Sequence, residues 1–389
     1  MIPSHLSWNG FCLRGVLIML EKGKISSGEF LILVIIFTIG GSILNVPALL
    51  VKIAKQDAWI SYIITTLISL CFVFLYNKLA SIYPSKTYVE VNEKILGKWV
   101  GKISALLFLF YILYLSSALL YEIGSFSTTQ ILVGTPIEMI MILFLLTCII
   151  GVRLGLEVIS RTAVIFFPWI VCLLFMLFLL LISDIKLEHI QPIFEDGMKP
   201  IITGSYHTLA LPYVQLVFFL MIMPFVNEKD EMKKNFYRGT LLGGIVLFLV
   251  IIFSILVLGT DITALQKNPS YRLGKVLSVG NFFERIEVIV AIIWILSVYF
   301  KLTICYYGLS LGLSQVLGIK NHKILHFPLA FLIFAFSIIT HPNTVHSRNF
   351  TSKAWTPFSL TICFLLPVLL LVIGLLKKKR SISKAAKGC

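Results

Sequence analysis

Charge is scarce in this chain: Asp, Glu, Lys and Arg together make up 13% of its 389 residues. A soluble domain of this length carries roughly 25% charged residues on its surface, so a water-soluble fold is excluded. Acidic residues are scarcer than basic ones, 18 against 33. HExxH and P-loop motifs are missing, and no apolar span carries a pair of carboxylates, which removes those common enzymatic readings. The seven cysteines include no CxxC pair. Cys71, Cys148, Cys172, Cys305 and Cys363 fall inside apolar stretches, with Cys12 and Cys389 near the ends, so neither a zinc site nor a disulfide framework is supported. No cofactor is implied. The net charge of +15 is spread between apolar runs and the C-terminus without a continuous basic face, which argues for membrane lipid rather than nucleic acid as the partner.

What the chain has in abundance is long apolar runs. Hydrophobic residues make up 58%, and the mean hydropathy is +0.96. These values describe an all-α polytopic membrane protein. Ten spans are expected, near residues 29–52, 58–82, 103–123, 137–152, 158–182, 201–226, 239–259, 286–313, 324–340 and 354–376. The fourth rises only about 24 Å as a helix and crosses if its tilt is small. Residues 1–28 form an N-terminal tail, and Met19 opens a more ordinary amino terminus, so residues 1–18 read as a start-site extension or a mobile tail. Residues 377–389 form a basic tail. Of the 33 Lys and Arg, 22 lie on the side of the termini and 10 on the other, with Lys301 inside a span. The positive-inside rule then places both termini in the cytoplasm.

The first apolar run is interrupted at its middle by GGSILNVP, Gly40 to Pro47. Adjacent glycines, an asparagine and a proline all weaken the helical ladder. A break at that depth needs protein or a polar cavity to satisfy its backbone. It is either a substrate site on a discontinuous helix or a proline kink at a helix crossing. Pro212 and Pro224 mark the sixth span in the same way. Breaks in spans one and six divide ten helices into two groups of five, about 29–183 and 201–376. An odd number per group runs the halves in opposite directions, the plan of a five-plus-five inverted repeat.

The stretches EKGKISSGEF, GGSILNVP, GLEVISRTAVIFFPWI, QPIFEDGMKPIITGS and KLTICYYGLSLGLSQVLGI resemble the endospore germinant-receptor B-subunit family, the spore germination permeases of the amino acid–polyamine–organocation transporter superfamily. The likeness runs from about Glu21 to Leu376. It implies the inverted-repeat fold, residence in the spore inner membrane, recognition of a small nutrient such as an amino acid, and assembly with a germinant-receptor A subunit and a C-subunit lipoprotein. One departure is at Val214 and Gln215, where the family often carries Gly-Glu. That change weakens the expected unwinding and removes a carboxylate.

Helix ends at a break offer N–H groups to a carboxylate and C=O groups to an ammonium, which suits a zwitterion. The candidate ligand-binding residues are Gly40, Gly41, Ser42 and Asn45 in span one, facing Leu211, Pro212 and Gln215 in span six. Ser42 and Asn45 equally suit bonding between helices. Lys301, deep in span eight, needs a partner or a cavity. The superfamily resemblance suggests that its ammonium stands in for a coupling cation beside span one; a purely structural pairing is the alternative. Glu122 is expected at the interface closing span three, Arg161 at the terminal side with lipid or in a gate ion pair, and His207 in the outer half of span six. Two functional classes follow, a ligand-sensing subunit or a working proton- or ion-coupled amino acid transporter, with a ligand-opened channel as a third.

Overall fold

The computed structural model describes residues 23–276, 286–343 and 350–386; the expected start-site extension, Cys12 and Cys389 lie outside them. Ser26 sets the start of α1 (Ser27–Ile39) through a capping box with Glu29. Its hydroxyl accepts from Glu29 N at 3.1 Å, and its own N–H donates to the Glu29 carboxylate at 2.7 Å. The helix stops at Gly40 and resumes as α2 (Ser42–Ala54), which is the expected break.

Pro47 lies inside α2 and has no N–H for the carbonyl of Ile43. A turn leads into α3 (Ala58–Ile82). A short α4 (Tyr88–Leu96), capped by Thr87 and Glu90, precedes α5 (Lys98–Gln130), α6 (Ile137–Leu154) and α7 (Leu156–Leu181). The connection after α7 holds a single turn of 3-10 helix at Leu187–Ile190.

Span six is broken as well. Helix α8 (Met198–Leu209) ends before Pro212, and the chain continues as a wholly buried 3-10 helix, Val214–Met221. The buried carbonyl of Ala210 accepts from the Gln215 amide at 3.2 Å and the Trp355 indole at 3.3 Å. Side chains thus supply donors that a continuous helix would take from its own backbone.

The charged stretch after span six is not a loop: it opens α9 (Lys229–Phe253), with Asp230 and Glu231 in its first turn. Acidic side chains there complement the helix dipole. Two short helices, α10 (Gly259–Leu265) and α11 (Pro269–Val276), follow. The remaining spans are α12 (Glu287–Leu317), α13 (His326–Thr340) and a last span of α14 (Trp355–Leu360), a five-residue π turn and α15 (Leu366–Ala386).

Eight helical stretches among the described residues are long and apolar enough to cross a membrane, one of them the run from α2 through α3. With the broken spans one and six they make the ten crossings expected. Packing follows the two-fold plan. Span one (α1) packs on span seven (α9), and span six (α8) packs on span two (α3). The span three–nine contact (α5 with α13) is matched by span four with span eight (α6 with α12). Adding five to each span number, or subtracting five, turns one contact into the other, as an inverted repeat requires. By the same rule α4 is the counterpart of the α10–α11 pair.

Toward the face of the described termini the bundle is shut. Ile25 N donates to Phe225 O and Asn227 N to Ile25 O, both at 3.0 Å. Behind them Phe30, Phe37, Phe218, Phe219 and Phe236 form an edge-to-face and stacked cluster between spans one, six and seven.

Candidate functional site

Above that aromatic plug, on the opposite face, lies a cavity of about 420 Å³. Span one contributes Gly41, Ser42 and Asn45 to its wall, span six Leu211 and Gln215, span eight Trp294 and Lys301. Span three contributes a helical stripe, Tyr114, Ala118, Tyr121, Glu122 and Ser125, at the spacing that puts residues on one face. Ala264 to Asn268, the end of α10 and its link to α11, complete the lining.

Two opposite charges face this space. Asn45 donates its side-chain amide to Gly41 O at 3.1 Å and to the Glu122 carboxylate at 3.0 Å, so the acid of span three is fastened to the break in span one. Lys301 is 2% exposed, and its stem lies along the break so closely that a Cβ on Gly40 would stand 2.5 Å from Lys301 Cδ. Its ammonium sits 4.7 Å from the centre of the Phe37 ring, a cation–π arrangement. Glu122 and Lys301 interact electrostatically, but among the described residues they form no ion pair within 4.0 Å.

The α10–α11 segment is tied down at two points. Ser270 of α11 donates to Ile43 O at 2.5 Å, taking the carbonyl that Pro47 leaves free. Lys267 donates to Ser125 Oγ at 2.8 Å and brings a second ammonium close enough to Glu122 to interact with it.

Comparison with known proteins fits this architecture. Residues 24–345 match the family described as spore germination protein. The chain belongs to that family. Spore germination protein KB of Bacillus subtilis (strain 168) is 26% identical over 365 residues, covering 93% of this chain and 97% of the relative. Spore germination protein YndE of the same organism is 25% identical over 362 residues, covering 92% and 98%. Among solved structures, the nucleobase-cation-symport-1 family transporter Mhp1 in a closed conformation with bromovinylhydantoin bound superposes with a TM-score of 0.67 at 10% identity, covering 90% of this chain and 78% of that one. MhsT in complex with L-phenylalanine gives 0.66 at 11%, covering 91% and 99%. At such identities the likeness is one of fold. The chain is therefore an integral membrane protein with a secondary-transporter fold.

Most of the residues singled out in the sequence converge on this cavity. Gly41, Ser42, Asn45, Leu211, Gln215 and Lys301 line the cavity, whereas Gly40 and Pro212 do not: Gly40 packs against the Lys301 stem and Pro212 belongs to the break behind the wall. Glu122 does not close its helix: α5 continues to Gln130, and Glu122 lines the cavity. Arg161 pairs with Glu157 one turn away on the same helix. His207 is outside the cavity wall, its Nδ1 3.3 Å from Thr356 Oγ1. Trp294 and Lys267 escaped sequence reading, since only the fold brings spans eight and three together beneath the α10–α11 pair.

Proposed function

We propose that this cavity binds a small zwitterionic nutrient, such as an amino acid, as the germinant of a spore germination receptor. The observation that carries this reading is the pair Glu122 and Lys301, opposite charges facing one cavity without touching. An α-amino acid bridges such a pair, its ammonium on the Glu122 carboxylate and its carboxylate toward Lys301 and the N–H groups that open α2. On this reading Lys301 supplies a fixed positive charge where a coupling cation would sit.

The protein then acts as a sensor. Ligand favours the conformation in which the cavity is formed and covered, and the population shift passes to a germinant-receptor A subunit and a C-subunit lipoprotein in the spore inner membrane, with both termini cytoplasmic. The reading extends to transport through one observation: the cavity reaches the α10–α11 face and is plugged by Phe37 and Phe218 toward the other, which is one half of an alternating-access cycle.

The test is the germination dose response of spores carrying this subunit with its natural partners, wild type against Glu122→Gln at matched abundance. Loss of a charge-assisted bond of about 1.5–3 kcal/mol raises the half-saturating amino acid concentration by about 10- to 100-fold. An unchanged curve removes the cavity from ligand recognition. Concentrative uptake by vesicles containing the purified protein assigns it transport in addition to sensing.

A further inference from the structure

One wall of the cavity is built of rings. Tyr114 and Tyr121 of α5, His341 just after α13, Phe350, and Trp355 of α14 all line it. Tyr114 stands at the centre, its ring centroid 5.2 Å from that of Phe350, 5.6 Å from His341 and 5.8 Å from Trp355. His341 continues the wall to Tyr121, stacked on it at 5.0 Å. Tyr114, Tyr121 and Phe350 are each only half-buried, so part of each ring is open in the cavity they line.

Apart from the two tyrosine hydroxyls, this wall has little to bond with. Phe350 has no polar side-chain atom, the Trp355 indole donates to Ala210 O at 3.3 Å, and His341 Nδ1 is 2.8 Å from Thr340 Oγ1. What these residues offer is ring faces and edges, which favour apolar contact and ring-on-ring packing. The acid of the site lies at one end of the wall. Tyr121 is the residue before Glu122, and Tyr114 lies about 12 Å from that acid along α5, two helical turns. An amino acid held by Glu122 and Lys301 therefore starts beside Tyr121 and His341, and a longer side chain extends along the wall toward Tyr114, Phe350 and Trp355. A methyl group leaves that part of a cavity of about 420 Å³ to water. A phenyl ring or a branched aliphatic chain displaces the water and covers the rings, which is favourable in proportion to the apolar area removed from water.

We propose that this wall is the side-chain subsite of the cavity and that it selects amino acids with a large apolar side chain, aromatic or branched aliphatic, over alanine and over polar side chains of the same size. This rests on the zwitterion reading above. Alanine is disfavoured by the ring surface it leaves wet. A polar isostere is disfavoured because its amide gives up water against a wall of ring carbon.

The experiment is thermal stabilisation of the full-length protein in lipid nanodiscs by phenylalanine, leucine, glutamine and alanine, with phenethylamine as a probe that keeps the ring and lacks the carboxylate. Phenylalanine and leucine are expected to stabilise at concentrations about 10- to 100-fold below those of alanine and glutamine, and phenethylamine to act more weakly than phenylalanine. Tyr114→Ala is expected to shrink the ratio between phenylalanine and alanine by about 2- to 10-fold while keeping stabilisation by alanine, which also shows that the variant folds. Tyr114→Phe retains the ring and is expected to keep the ratio. Alanine or glutamine acting at the same concentration as phenylalanine and leucine overturns the side-chain assignment and leaves the zwitterion reading standing, and so does an unchanged ratio in Tyr114→Ala. Phenethylamine acting as well as phenylalanine overturns the zwitterion reading and leaves the wall as a surface that binds rings. Stabilisation by none of the five overturns both. The wild-type comparison decides the matter even if Tyr114→Ala fails to fold.

Discussion

Ser270 donates its hydroxyl to the carbonyl of Ile43 at 2.5 Å, and that carbonyl is free because Pro47, four residues on, has no N–H to give it. The proline that disturbs span one therefore creates the seat for α11, the helix beside the cavity mouth. Break and cover are one device, since a shift of α2 moves the acceptor on which the cover rests.

Ser270→Ala leaves the Ile43 carbonyl buried without a donor and is expected to cost about 1–3 kcal/mol of stability. Pro47→Ala restores a backbone N–H at the right spacing, so in that background the Ser270 substitution should cost close to nothing. A double-mutant cycle on thermal or denaturant unfolding in detergent measures the coupling. Additive effects would show that the two residues act separately.

Asn45 bonds Glu122 at 3.0 Å and Gly41 O at 3.1 Å, so it positions the acid rather than supplying a charge. Asn45→Ala is expected to raise the half-saturating amino acid concentration by about 5- to 20-fold, less than Glu122→Gln, at the weak end of a hydrogen bond to a charged group. Asn45→Gln, which keeps the amide but lengthens the arm, should recover part of the loss. Binding isotherms on the purified protein read the difference directly, and an Asn45→Ala effect equal to that of Glu122→Gln would assign Asn45 a contact of its own with ligand.

Lys301 carries its charge at 2% exposure with its stem against Gly40. Replacing a buried charge by an apolar chain of similar length is often neutral or stabilising. Lys301→Met should keep protein abundance and thermal stability while raising the half-saturating ligand concentration by about tenfold or more, the loss of a charged hydrogen bond. Gly40→Ala acts differently, because the added methyl meets Lys301 Cδ at 2.5 Å and Phe37 O at 3.0 Å; it is expected to lower stability as well. Unchanged response with unchanged abundance in Lys301→Met would falsify a ligand or cation-replacing role.

The breaks were legible because glycine and proline stand out inside runs that otherwise contain only good membrane formers. Gly40, Gly41 and Pro212 each sit where the structure interrupts a span, and Pro47 lies in the first turns of the helix that resumes after the break. The acid of the site was harder to read. Glu122 follows the apolar core of span three, and a hydropathy boundary drawn there ends the helix one residue later. The helix in fact runs to Gln130, with Ser125 and Ser127 buried inside the bundle and Ser125 accepting from Lys267. The signal that marks Glu122 is the stripe Tyr114, Ala118, Tyr121, Glu122 and Ser125, which recurs at three and four residues on one face. For Lys267 and Trp294 no local pattern exists. Their place at the cavity depends on spans three and eight packing side by side and on α10–α11 crossing above them.

At the opposite end Glu228 holds the shut face together, its carboxylate accepting from the Ser27 backbone N–H at 2.9 Å. Bonds from the Ser27 side chain and backbone lower its pKa below the usual carboxylate range. The folded protein therefore binds this proton only at a lower pH than the unfolded chain does. The contribution to stability is fully present above the unfolded value of about 4.3 and is lost as pH falls through the lower folded value. Acidification from about pH 5 to about pH 3 should then lower the melting temperature more in the wild type than in Glu228→Gln, which has no proton to gain. The same substitution weakens a bond that ties the start of span one to the end of span six. Its second expected effect is greater reactivity toward a membrane-impermeant thiol reagent of a cysteine placed by Phe37→Cys, measured from the terminal face. A parallel acid profile for the two proteins, together with unaltered labelling, would assign the closure of that face to the Ile25 backbone bonds and the phenylalanine cluster, with Glu228 a bystander at the surface.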